Sequence, residues 1–328
     1  RPAMDRATTW IWGAHVVPPG ESLTTWVFLR LLGLIYLAAF VSMWVQVQGL
    51  IGPEGVLPAR DFLHALQSHY GRLAYWIAPT LGWLGASAGL LHGMCAAGVV
   101  LSVGLVLGAA PLLSLLGLWV LYLSLAILGQ DFFWFQWDSL LLETGLIAML
   151  VAPWRWWSRP SSDPQPHRAG LWLLRWLLFR LSFSSAAVKL ISGDPAWHMR
   201  TALRYHFETQ PLPPWTAWYA HHLSPGALDA AARATIFLEA VPPFLLFFPR
   251  RIRFLGATLI AGLQILIVVS GNYGFFNWLT LALCVACLDD GVWPRWMRER
   301  VARRDAKRAL AEETTEPPAA TVRPGRRR

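Results

Sequence analysis

Long apolar runs alternate with short polar connections marked by Pro and Gly along most of the chain. Runs that reach or approach the roughly 20 residues needed to cross a bilayer lie at 24–45, 83–107, 110–129, 138–153, 169–191, 228–248, 252–270 and 274–288. The last is the shortest, and only a tight connection at 108–110 separates the second from the third. The pattern predicts an all-α polytopic transmembrane helix bundle of about eight spanning helices, with interfacial loops on the non-cytoplasmic side. It divides the chain into an N-terminal segment (1–23), a transmembrane domain (24–290) and a basic, low-complexity tail (291–328). Between the spans, QSHYGRLAYWIAP and ALRYHFE mix aromatic and charged positions, as short helices lying in the bilayer interface do. No internal repeat is visible.

Composition narrows the classes further. Charged residues make up 14% of the chain, against roughly 25% in a soluble domain. The net charge is +9, but eleven of the 28 basic residues follow Asp289. That places the excess in a tail suited to anionic lipid, and no nucleic-acid recognition motif accompanies it. Cys284 and Cys287 form a C-x-x-C inside the apolar run LTLALCVACL, which reads as small packing residues rather than as accessible thiolates. The polar, Pro- and Gly-broken start does not read as a cleavable signal peptide.

Arginine placement gives the orientation. Arg155, Arg159 and Arg168 share one connection, Arg250, Arg251 and Arg253 another, and the tail is basic. The positive-inside bias therefore puts these connections and both termini in the cytoplasm. Four chemically unusual stretches then fall together on the other side: GLIGPEGVLPA (49–59), GQDFFWFQWDSLLLETG (129–145), VKLISGDPAWHMRTALRYHFETQPLPPW (188–215) and GNYGFFNW (271–278). A site assembled at the non-cytoplasmic mouth explains this grouping. Longer, more polar external loops are the plainer explanation.

Ionisable groups inside spans are costly and mark functional sites or structural pairs. The candidates are Glu143, Arg175, Arg180, Lys189 and Glu239. Arg175 lies close enough to the cytoplasmic end of its helix to snorkel. Lys189 is one of only two lysines in the chain, and Arg180 lies roughly 13 Å below it on the same helix. Depth alone pairs Lys189 with Glu143, and Arg180 with Glu239 as an intramembrane ion pair. Lys189 reads either as a structural cation or, because a desolvated lysine can lose its proton, as a base. Glu143, His198 and His206 are its candidate partners in proton transfer. The wall of the site is expected from Glu54, Trp137, Asp138, Asp194, Trp197, Tyr205, Glu208, Gln210, Asn272, Tyr273 and Asn277. His198, His206, His221 and His222 show no metal-ligand spacing, so no metal site is expected. No G-x-S-x-G surrounds Ser182, Ser184 or Ser185.

GLIGPEGVLPA, WDSLLLETG, KLISGDPAWHMRTALRYHFETQPLP and GNYGFFN, in that order, resemble the lipase maturation factor family over roughly residues 20–290. The resemblance implies a multi-pass membrane protein that assists the folding of secreted or membrane proteins, lipases among them, with no cofactor. Its partners would be membrane lipids and a client protein, with no nucleic acid. Animal members sit in the endoplasmic reticulum membrane and carry a further domain after the last helix; a bacterial member would occupy the cytoplasmic membrane. A more distant similarity, carried by Lys189, Leu190 and Trp197, is to the membrane domain of vitamin-K-dependent gamma-carboxylases and their bacterial relatives. It implies the alternative, a quinone- or lipid-dependent membrane enzyme in which Lys189 deprotonates a vitamin K hydroquinone. A lipid or small-molecule transporter is a third reading, since mid-membrane charges also suit transport.

Overall fold

The computed structural model describes residues 20–303 except 134, 161 and 162. The described residues form helices joined by turns, as the hydropathy pattern requires, and the protein is an integral membrane helix bundle. In chain order the helices are α1 (Ser22–Ile51), α2 (Ala59–Tyr70), α3 (Ala74–Ile77), α4 (Ala88–Leu107), α5 (Pro111–Leu128), α6 (Gln136–Val151) and α7 (Arg168–Ile191). They continue as α8 (Pro195–His198), α9 (Ala202–Thr209), α10 (Trp215–His221), α11 (Pro225–Ala240), α12 (Pro242–Leu245), α13 (Arg250–Ser270) and α14 (Phe276–Ala286).

Among the described residues, five helices are long and apolar enough to cross a membrane: α1, α4, α5, α7 and α13. Three expected spans are modified. The run 138–153 becomes α6, whose 16 residues rise only about 24 Å. The run 274–288 contracts to α14, with 11 residues. The run 228–248 is not one helix. It stops at Ala240 and restarts as the single turn α12, because Pro242 and Pro243 remove two amide donors that a continuous helix would need.

Local sequence explains the other boundaries. Ser87 accepts a hydrogen bond from Leu90 N to start α4, and Ser224 accepts one from Ala227 N to start α11. Gly108 ends α4 at φ +93°, a left-handed conformation that costs glycine little. Pro111 then occupies the first turn of α5, which makes the tight 108–110 connection possible.

The core runs through α1. α1 packs on α4 and α14, and α5 and α6 complete the layer around it. Tyr36, Phe40 and Tyr122 are fully or almost fully buried; Tyr122 meets the other two rings edge to face, and Tyr36 stacks on Phe40. The Tyr36 hydroxyl donates to Leu141 O on α6 at 3.3 Å. Cys284 and Cys287 are buried and unpaired.

The two ends of the bundle differ in chemistry. At one end Arg250 forks onto Asp289 (2.5 and 2.8 Å), Arg30 donates to Ser158 O (3.1 Å) and Arg175 pairs with Glu21 (2.9 Å). At that end Asp290 also accepts from Thr24 N (2.8 Å), tying the segment after α14 back to the start of α1. The other end is a layer of short helices, α8 to α10, stitched onto the tip of α13 by a hydrogen bond from Gln210 to Ser270 O (2.9 Å) and one from Thr216 to Val269 O.

Candidate functional site

Beneath the layer of short helices lies a cavity of about 680 Å³. Its walls come from α7, α11, α13 and the start of α6, its roof from α8, α9 and α10, and its floor from the start of α14. Most of the lining is apolar, including Leu181, Leu203, Phe207, Leu238, Ile260 and Leu263. A few polar groups converge in it, the usual composition of a small-molecule pocket.

One polar cluster is built by helical spacing on α7. Ser185 and Lys189 are four residues apart and so share a face. Lys189 Nζ donates to Ser185 Oγ at 2.7 Å and to Glu239 Oε1 and Oε2 at 2.9 and 2.7 Å. Ser185 Oγ donates in turn to Glu239 Oε1 at 3.1 Å. The two charged side chains are largely buried, 17% and 9% exposed. The Trp197 ring lies 5.2 Å from the ammonium, close enough for a cation–π contact.

This pairing corrects the one that depth suggested. Lys189 pairs with Glu239, and Arg180 pairs with Glu143. Two physical facts decide it. Arg180 and Lys189 are nine residues apart, which at about 100° per residue puts them on opposite faces of α7. The Arg180 face meets α6 and the Lys189 face meets α11. Moreover α11 begins outside the span, where Asp229 is clamped by Arg204 at 2.9 and 2.6 Å. Glu239 is therefore only as deep as the last turns of α7, rather than at mid-membrane.

A second cluster joins the roof to the floor. His206 Nε2 lies 3.1 Å from the Tyr273 hydroxyl, with the two rings nearly parallel. Burial, then the Lys189 ammonium, lowers the His206 pKa, which favours neutral imidazole accepting the phenol proton. Burial also raises the Tyr273 pKa and keeps the phenol protonated. Deeper in, Asn277 Nδ2 donates to Gln264 Oε1 at 2.7 Å, and both residues are buried.

The expected site residues separate into two groups. Lys189, His206, Trp137, Trp197, Tyr273, Asn277 and Glu239 line the cavity. Three of the four unusual stretches contribute to it, 129–145, 188–215 and 271–278. The fourth, 49–59, does not; its Glu54 is exposed in a turn. Gln130 Nε2 donates to Leu57 O at 3.2 Å and holds that turn beside the 129–145 stretch.

The remaining residues have local roles. Glu143 faces away with Arg180, both side chains about half exposed. Asp138 is buried against the Tyr122 hydroxyl at 2.5 Å, inside the bundle core. Asp194 caps α8 through Ala196 N, while His198 and Tyr205 are exposed. Glu208 approaches His221, Gln210 anchors the roof to Ser270, and Asn272 donates to Leu212 O. Sequence reasoning missed Ser185 and Gln264. Ser185 was findable, since it lies one turn from Lys189; Gln264 stood as a lone amide within an apolar run. Among the described residues, no three His, Cys, Asp or Glu side chains converge as a metal site.

Comparison with known proteins follows the same boundaries. The family model described as the lipase maturation factor transmembrane domain matches residues 23–295. Lipase maturation factor 2 of Rattus norvegicus is 46% identical over 282 residues, covering 80% of this chain and 40% of the relative. The Homo sapiens protein of that name is 43% identical over 288 residues, covering 83% of this chain and 40% of the relative. Lipase maturation factor 1 of Bos taurus is 35% identical over 277 residues, covering 82% and 49%. The chain thus spans less than half the length of these relatives. No solved structure matches it.

Proposed function

The chain belongs to the lipase maturation factor family, and from that premise we propose that it is a membrane-embedded maturation factor for secreted or membrane proteins, lipases among them. The observation that carries this reading is the family match across the whole bundle, residues 23–295, including every wall of the cavity. The arginine-rich end belongs in the cytoplasm by the positive-inside bias. The cavity and its roof of short helices then face the compartment that secreted clients enter, the endoplasmic reticulum lumen or the space outside a bacterial cytoplasmic membrane.

The contacts of Lys189 favour a structural cation. All its ammonium hydrogens have acceptors, on Glu239 and Ser185, so it serves as half of a buried pair. The test of the preferred reading is co-expression of the chain with a secreted dimeric lipase in cells that lack their own maturation factor. The expected result is a rise in secreted lipase activity per mass of lipase, with lipase crosslinked to the 192–224 layer. An unchanged ratio, with no crosslink, overturns it.

A further inference from the structure

We propose that the cavity binds an uncharged amphiphile, with an apolar tail among α7, α11 and α13 and a hydroxyl-bearing head of the acylglycerol class at Gln264 and Asn277. The inference is independent of the client assignment, since it concerns the purified protein alone.

Size and lining come first. About 680 Å³ falls within the range of pockets that enclose whole small ligands, and the walls are chiefly hydrocarbon. Ala234 on α11 and Leu266 and Val269 on α13 line the cavity and are exposed, so the rim is apolar. A rim of this kind in a membrane helix bundle admits a ligand from the hydrocarbon phase rather than from water.

Charge selects the head. Among the described residues, Lys189 and Glu239 are the only ones lining the cavity that are formally charged at neutral pH, and they cancel each other at 2.7 Å. An anionic head would meet the Glu239 carboxylate, and a cationic head the Lys189 ammonium. Either would have to be desolvated without a free counter-charge, which is expensive. An uncharged head avoids that cost.

Hydrogen-bonding capacity then selects the chemistry. The Asn277–Gln264 bond uses one Asn277 N–H and the Gln264 carbonyl. It leaves both Gln264 N–H groups, the second Asn277 N–H and the Asn277 Oδ1 acceptor without a protein partner among the described residues. Free N–H donors beside a free carbonyl acceptor match a hydroxyl, which can accept from the one and donate to the other. An ester carbonyl or a quinone can satisfy only the donor.

The test uses the full chain in phosphatidylcholine nanodiscs, labelled with a monoacylglycerol carrying a photoreactive tail. Labelled peptides are expected in α7, α11 and α13, and unlabelled monooleoylglycerol should compete at least tenfold better than oleate or a long-tailed quinone. Leu263→Trp, which fills the cavity, should reduce labelling at least tenfold while thermal unfolding confirms the fold. Glu239→Gln, which frees the Lys189 charge, should move the preference toward oleate. Wild-type labelling confined to outward-facing residues overturns the proposal. So does wild-type competition in which oleate or the quinone equals monooleoylglycerol, or full labelling of folded Leu263→Trp. The wild-type arms do not depend on the folding of any variant.

Discussion

Lys189 and Glu239, fifty residues apart in sequence, form a two-oxygen ion pair that joins the end of α7 to the end of α11. Ser185 fills the third donor direction, so the cluster is closed. Breaking such a buried pair from one side leaves an uncompensated charge, at a cost of about 3–5 kcal/mol. Lys189→Met and Glu239→Gln should each lower the thermal unfolding temperature sharply in detergent. The double variant should be more stable than either single one, because no charge is left alone. Lys189→Arg should retain more stability than Lys189→Met. Additive losses in this cycle would show that the pair is not energetically coupled.

Arg180 and Glu143 answer to a different solvent. Both side chains are about half exposed, on α7 and α6, so the pair lies on the outside of the bundle rather than in its core. Glu143→Gln should leave Arg180 without its counter-charge and reduce the amount of protein inserted in membranes. Adding Arg180→Met should restore it. Quantifying membrane-fraction protein for the two variants checks this, and no recovery in the double variant would refute it.

His206 gives the cavity roof a pH dependence. Its pKa is below 6.5 in the folded protein, through burial and then through Lys189, whereas the unfolded residue titrates at about 6.5. The unfolded state therefore binds more protons in that window. Stability from neutral His206 is fully present above about pH 6.5 and is lost as pH falls through the lower folded value. Thermal unfolding of the wild type should weaken from pH 7.5 to pH 5, and His206→Gln should flatten the part of the curve that belongs to this residue. An identical slope in both proteins would exclude His206 as its origin.

Two glycines of α4 should respond oppositely to the same substitution. A Cβ on Gly98 would overlap the Phe40 ring, which is fully buried on α1. A Cβ on Gly93 would meet nothing within 4 Å. Gly98→Ala should destabilise by about 1–3 kcal/mol through overpacking. Gly93→Ala should be neutral, or stabilise by about 0.5–1 kcal/mol through helix propensity. Parallel melting curves of the two variants decide it.

Asp289 is a staple at the arginine-rich end. Its side chain is 3% exposed and accepts two hydrogen bonds from Arg250 and one from Gly291 N. Asp289→Asn removes the charge that holds the guanidinium and should cost on the order of 3 kcal/mol. Limited proteolysis should then cut first between α12 and α13. Unchanged protection there would remove the staple role.

The amino-acid sequence by itself determined the solvent, the helical class and the family. Runs near twenty apolar residues leave backbone hydrogen bonds no partner but their own helix. KLISGDPAWHMRTALRYHFETQPLP carried the family resemblance and also the residues that line the cavity, Lys189, Trp197 and His206. The tertiary structure alone decided which charges meet. Counting residues gives depth along a helix but neither its rotation nor the level at which a neighbour begins. Arg180 and Lys189 point to opposite sides of α7, and α11 starts outside the span and breaks at Pro242 and Pro243. Those two facts exchanged the ion pairs. The packing of α14 on α13 likewise set Gln264 against Asn277 beneath the same roof.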